Sequence, residues 1–98
     1  MAFRLIFNPL VPDDLAGAIA YYEQISPALA NRFRENIDRR LSEIAERPQS
    51  FPMDTPPVRL ARIDRFPYLV FFVAKTNFVS VLAIAHGSAE PGKWRDRE

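Results

Sequence analysis

Phe3, Leu5 and Phe7 alternate with Arg4 and Ile6, and this period of two predicts a first strand that Asn8-Pro9 ends. The period then changes. Leu15, Ala18, Ile19, Tyr22 and Ile25 recur three and four residues apart, which lines them along one helical face. Asparagine before proline is a helix-cap signal, and Pro12 also fits a first turn, so this helix is expected to start at Pro9 or at Pro12. Ser26-Pro27 repeats the signal and opens a second helix with the stripe Leu29, Phe33, Ile37, Leu41 and Ile44, stopped at Arg47-Pro48. So short a connection between the helices implies an antiparallel hairpin.

Residues 48–57 hold four prolines, Pro48, Pro52, Pro56 and Pro57, and read as a loop. Three strands are expected after it, over 58–63, 68–75 and 78–86, with turns at Asp64-Arg65-Phe66-Pro67 and Thr76-Asn77. The last two are nearly continuous in Val, Leu, Ile and Phe, as in strands whose two faces are both covered. The helical hairpin accounts for one cover. The other face is expected to stay open, and an open apolar face marks a binding surface. Residues 87–98, with Lys93, Trp94, Arg95 and Arg97, show no periodicity.

At 98 residues, 48% hydrophobic and 26% charged, the chain fits a single domain over 1–98. A domain of this size buries roughly 60 to 70% of its unfolded surface, so a partner that covers leftover apolar area is favoured. No cysteine is present, which excludes disulfides and thiolate zinc sites, and a single histidine excludes a multi-histidine metal centre. Neither metal nor cofactor is expected. The early Pro9 leaves no room for an export signal and no stretch is apolar enough for a membrane span, so the expected location is the cytoplasm, with no membrane contact.

The net charge of +1 hides an uneven distribution: residues 1–57 carry six arginines against eight acids, whereas 58–98 carry seven cations against four acids. An acidic or phosphate-rich partner would therefore meet the C-terminal part. Arg59, Arg62 and Arg65, with His86, Trp94, Arg95 and Arg97, are expected to share one edge as a basic patch with an aromatic surface. The plainer alternative is solvated arginines with one ion pair to Asp64 or Asp96. His86 is the one side chain suited to proton transfer near neutral pH, although a structural histidine at a strand end is the more common case. Asp13 and Asp14 are accounted for by the helix dipole, and Tyr21, Tyr22 and Phe33 by packing of the hairpin. Ser80, Ser88 and His86 come without a nucleophile elbow or oxyanion hole, and the three glycines form no phosphate loop.

Several strings, taken in order, resemble the RelE/ParE superfamily of type II toxins: Asp14-Leu15 and Ala20-Tyr21-Tyr22, then Ala30, Phe33 and Arg47-Pro48. Val58-Arg59, Arg65-Phe66-Pro67-Tyr68, His86-Gly87, Pro91 and Trp94-Arg95 continue the resemblance over essentially the whole chain. It implies an α+β fold of order β-α-α-β-β-β, in which a three-stranded antiparallel meander forms one sheet with the N-terminal strand beside an antiparallel helical hairpin. It also implies a cognate antitoxin in a hetero-oligomer, with operator DNA reached only through that antitoxin. Tyr68, Val70, Phe72, Val79 and Val81 are the residues expected to meet the antitoxin.

RelE-like members cut mRNA on the ribosome with clustered basic side chains and a C-terminal tyrosine. By resemblance, Leu69 and Ser88 occupy two of the arginine positions and Trp94 the tyrosine position, leaving Arg62. Each lost preorganised charge costs about 2.7 to 4 kcal/mol of transition-state stabilisation. The resemblance is therefore closer to the ParE-like branch, toxins of plasmid stabilisation systems that inhibit DNA gyrase by binding rather than by catalysis. Arg59, Arg62, Arg65, His86, Trp94 and Arg95 are then the expected target-binding residues. Two alternatives stand beside it. One is a ribosome-dependent mRNA endoribonuclease using Arg62 and His86 as catalytic residues. The other is a non-toxic antitoxin-binding module, because Ser88-Ala89-Glu90 replaces two arginines that usually follow His-Gly.

Overall fold

Asn8 turns the chain from strand to helix: its side-chain oxygen accepts from the Leu10 amide at 2.9 Å and its carbonyl from the Val11 amide at 2.9 Å. The structure, a computed structural model, describes residues 2–88 and 94–97. The elements run β1 (Arg4–Phe7), α1 (Val11–Ile25), α2 (Pro27–Glu46), a 3-10 turn (Pro48–Ser50), β2 (Val58–Arg62), β3 (Tyr68–Ala74), β4 (Phe78–His86) and a last 3-10 turn (Arg95–Arg97). The first helix thus starts at Val11, between the two expected prolines, with Pro12 in the first turn where its missing N–H leaves no bond unmade. Ser26 caps α2 as expected, its hydroxyl accepting from the Leu29 amide at 3.0 Å.

The sheet order is β1-β4-β3-β2. The meander is antiparallel, and β1 joins it parallel to β4 in the register Arg4 to Phe78 through Phe7 to Val81. On the outer edge of β2 the proline-rich loop folds back: Leu60 donates to the Pro52 carbonyl at 3.1 Å, Asp54 to the Val58 carbonyl at 2.8 Å, and Met53 bridges Arg59. The loop occupies backbone groups that an edge strand would otherwise offer to another chain. Asn36, buried on α2, donates to the Asp64 carbonyl at 2.9 Å and anchors the β2–β3 turn, where Arg65 takes a left-handed φ of 66°.

The main core lies between the hairpin and the sheet and contains Tyr22, Phe33, Ile37 and Ile44 against Val70, Phe72, Val79, Val81 and Ile84. Four of the five residues expected to meet an antitoxin, Val70, Phe72, Val79 and Val81, are fully buried here, and only Tyr68 is partly exposed. Strand alternation turns them toward the helices, so they present no open face. The opposite face is not bare either. Val58, Val73, Leu82 and Ala83 form a second core with Trp94, which is 5% exposed and stacks on Phe71 at 5.7 Å. A bulge prepares this seat: pairing passes from Phe71–Ala83 to Phe72–Val81, so Leu82 is the extra residue, and it packs with Ala83 on the Trp94 side. The chain's own tail provides the cover that was expected from a partner.

Candidate interaction site

The expected basic patch is divided among elements. Arg59 and Arg62 lie three residues apart on β2 and so point to opposite sheet faces. Arg59 donates to the Phe51 carbonyl at 2.7 Å and to the Gln49 carbonyl at 3.4 Å, which commits it to the proline-rich loop. Arg62 is exposed on the Trp94 side, opposite Leu69 in register, and Arg65 is exposed in the turn. Trp94 is buried, and Arg95 lies over its ring at 5.7 Å from the centroid. His86, in register with Tyr68, packs edge-on to that ring at 5.3 Å. The fold therefore joins Trp94 with Arg95 and Tyr68 with His86, and separates Arg59 from Arg62. No ion pair to Asp64 forms among the described residues, and the Asp96 side chain lies outside them.

His86 Nδ1 accepts from the Ser88 amide at 3.0 Å and lies 2.7 Å from the Ser88 hydroxyl. An accepting Nδ1 places the proton of the neutral ring on Nε2. Nearby amides are engaged in turn contacts: Gly87 donates to the Pro67 carbonyl at 2.6 Å and Ser88 to the imidazole itself. The serine-histidine contact is therefore a turn-closing bond, and among the described residues no convergent pair of donors for an oxyanion stands beside it.

A cluster that sequence reading missed joins the two ends of the chain. β1 ends at Phe7, opposite Val81, so β4 continues with no strand of the described residues on that side. Asp14 fills the place: its carboxylate accepts from the Ile84 amide at 3.1 Å and from Arg97 at 2.6 and 3.1 Å. Arg97 also donates to the Leu82 carbonyl at 3.3 Å, and its own carbonyl accepts from Asn8 at 3.0 Å. The hydrogen bond to Asp14 holds the guanidinium above its ordinary pKa, against the opposing effect of burial. Asp14 does sit in the first turn of α1, but its carboxylate is a strand cap and tail anchor rather than only a dipole partner.

At the other end of α1, Tyr21, Tyr22, Ile25, Pro67, Tyr68 and His86 line a groove of about 390 Å³. Burial, followed by neighbouring tyrosines, pushes the Tyr22 and Tyr68 phenols above their ordinary pKa of 10.0. Tyr21 is 57% exposed and Ile25 60%, so the rim is apolar and open.

The family described as the ParE toxin of the type II toxin-antitoxin system, parDE, matches residues 5–91. The chain belongs to this ParE toxin family. A solved structure titled "Chromosomal ParDE TA system from P. aeruginosa" has the same fold, with a TM-score of 0.74 at 20% identity over 87% of this chain and 96% of that one. No curated protein matches the chain. In this ParE-family chain, Arg62, Arg65 and Arg95 project from three separate elements, while Arg59 and Arg97 are committed internally. Such an arrangement suits contact with a broad partner surface rather than convergence on one reacting atom. Among the described residues no cluster of potential metal ligands occurs, and no helix is long and apolar enough to cross a membrane.

Proposed function

We propose that this ParE-family toxin acts by binding DNA gyrase and is neutralised in the cytoplasm by a cognate antitoxin within a hetero-oligomer. One observation carries the reading. RNA cleavage of the RelE type needs a phenol and several cations directed at one phosphate. By the family resemblance Trp94 takes the tyrosine's place; it has no hydroxyl and is stacked on Phe71 as part of the second core. Three of the exposed cations, Arg62, Arg65 and Arg95, are spread over β2, the β2–β3 turn and the tail, which favours adhesion to a partner over chemistry. Tyr68 is the partly exposed residue through which an antitoxin is proposed to make contact.

The test pairs a gyrase supercoiling assay with a reconstituted translation assay in which mRNA 5′ ends are mapped. Inhibition of supercoiling with intact mRNA is expected. Ribosome-dependent cleavage without gyrase inhibition would instead establish an endoribonuclease. Inactivity in both assays, with tight antitoxin binding retained, would identify a module that has lost toxicity.

A further inference from the structure

We propose that the groove between the end of α1 and the Tyr68–His86 pair is an aromatic cage that receives the guanidinium of an arginine side chain from a partner polypeptide. Its four rings line one groove and stand steeply to one another: Tyr21 and Tyr22 meet at 73° and 5.2 Å, Tyr22 and Tyr68 at 65° and 6.1 Å, Tyr68 and His86 at 77° and 5.3 Å. A guanidinium lying flat on one ring directs its N–H fork toward the face of a neighbour set nearly perpendicular to it, and both contacts draw on the negative face of the ring quadrupole.

The rest of the molecule supplies the contrast that selects a cation. Arg40 lies over Phe51 at 6.0 Å and Arg95 over Trp94 at 5.7 Å, so this arginine-rich chain provides its own cations to other rings. Among the described residues, no arginine or lysine lines the groove. No carboxylate of the described residues lines it either, so the attraction they offer is that of neutral ring faces. This is complementary to a weakly hydrated, planar cation, which describes arginine better than lysine. A volume of about 390 Å³ accommodates one such side chain, and the exposed rim of Tyr21 and Ile25 gives the backbone carrying it an apolar surface to lie on.

The proposal is independent of the gyrase assignment, since its probes are bare side-chain analogues. NMR titration of the full chain with N-acetyl-arginine-methylamide is expected to shift Tyr21, Tyr68 and His86 resonances saturably. The neutral citrulline analogue, which matches the shape without the charge, should bind at least tenfold more weakly. Tyr21→Ala should weaken the arginine probe at least fivefold, while Tyr21→Phe, which keeps the ring face, should stay within twofold of wild type. Equal affinity for the two probes, the absence of a saturable shift, or a Tyr21→Phe loss as large as that of Tyr21→Ala would each overturn the proposal. Unchanged circular dichroism of both variants ties the effect to the groove, because Tyr21 lies at its exposed rim.

Discussion

Asp14 and Arg97 form a two-pronged ion pair, at 2.6 and 3.1 Å, that fastens the last turn of the chain to the first turn of α1 across 83 positions of sequence. Both side chains are almost out of solvent, 11% and 10% exposed, and both also serve backbone groups of β4 beyond its pairing with β1. Removing one partner strands a buried charge and frees the Ile84 amide or the Leu82 carbonyl. Loss of one member of a buried pair costs about 3 to 5 kcal/mol. Asp14→Ala and Arg97→Ala should each lower unfolding free energy by about that amount in urea denaturation. The double variant should be far less destabilised than the sum of the singles, as expected for residues in direct contact. Additive effects, or single losses below about 0.5 kcal/mol, would show that the pair anchors nothing.

Trp94 is the other half of the same device. Its indole covers Val58, Val73, Leu82 and Ala83, so Trp94→Ala combines a lost transfer free energy with an uncovered apolar sheet face. A destabilisation of about 3 to 5 kcal/mol is expected. Increased binding of a hydrophobic dye and concentration-dependent self-association should accompany it, while wild type stays dispersed under the same conditions. A Trp94→Ala protein that is as stable and as dispersed as wild type would mean that the tail is not the cover of that face.

These tail contacts explain where sequence reading stopped. The Ser26-Pro27 cap, the stripe from Leu29 to Ile44 and the limits of β4 at Phe78 and His86 were legible because each is written in local spacing and punctuation. The apolar character of both sheet faces was legible too. The cover of the second face was not, because a single tryptophan and one long-range ion pair leave no periodic trace in residues 87–98. Nor does the bulge at Leu82 carry a glycine that would announce it. The basic patch was read as one surface although period-two alternation on β2 already divides Arg59 from Arg62. Tyr22 was rightly assigned to packing, since it contacts Phe33 at 5.0 Å, but Tyr21, assigned with it, is exposed and frames an open groove with Tyr68.

The raised phenol pKa values of Tyr22 and Tyr68 make stability fall at alkaline pH. The folded state holds these protons more tightly than the unfolded chain, so their stabilising contribution is complete below the ordinary value of 10.0 and is lost as pH rises through the higher folded values. Urea midpoints should therefore be insensitive to these groups from neutral pH to about pH 9 and decline above about pH 10. Ultraviolet titration of tyrosinate should show both phenols ionising late, and Tyr68→Phe should remove one late component. Ionisation of both groups at the free-tyrosine value would contradict the burial that causes the shift.

The divided arginines allow binding to be separated from folding. Arg59 holds the proline-rich loop through the Phe51 carbonyl, so Arg59→Ala should cost about 1 kcal/mol of stability, a typical value for a hydrogen bond, and loosen residues 49–57 in hydrogen exchange. Arg62 and Arg65 are exposed without such a task among the described residues, so their alanine variants should stay within about 0.5 kcal/mol of wild type. Arg95, exposed over Trp94, adds at most the worth of one exposed cation–π contact, about 0.5 to 1 kcal/mol. If these three meet the toxin's target, the triple variant should lose growth inhibition in induced cells while its melting temperature falls only slightly. Full inhibition by that stable variant would place the target-binding surface elsewhere, whereas loss of inhibition in Arg59→Ala alone would trace the function to the loop that Arg59 holds.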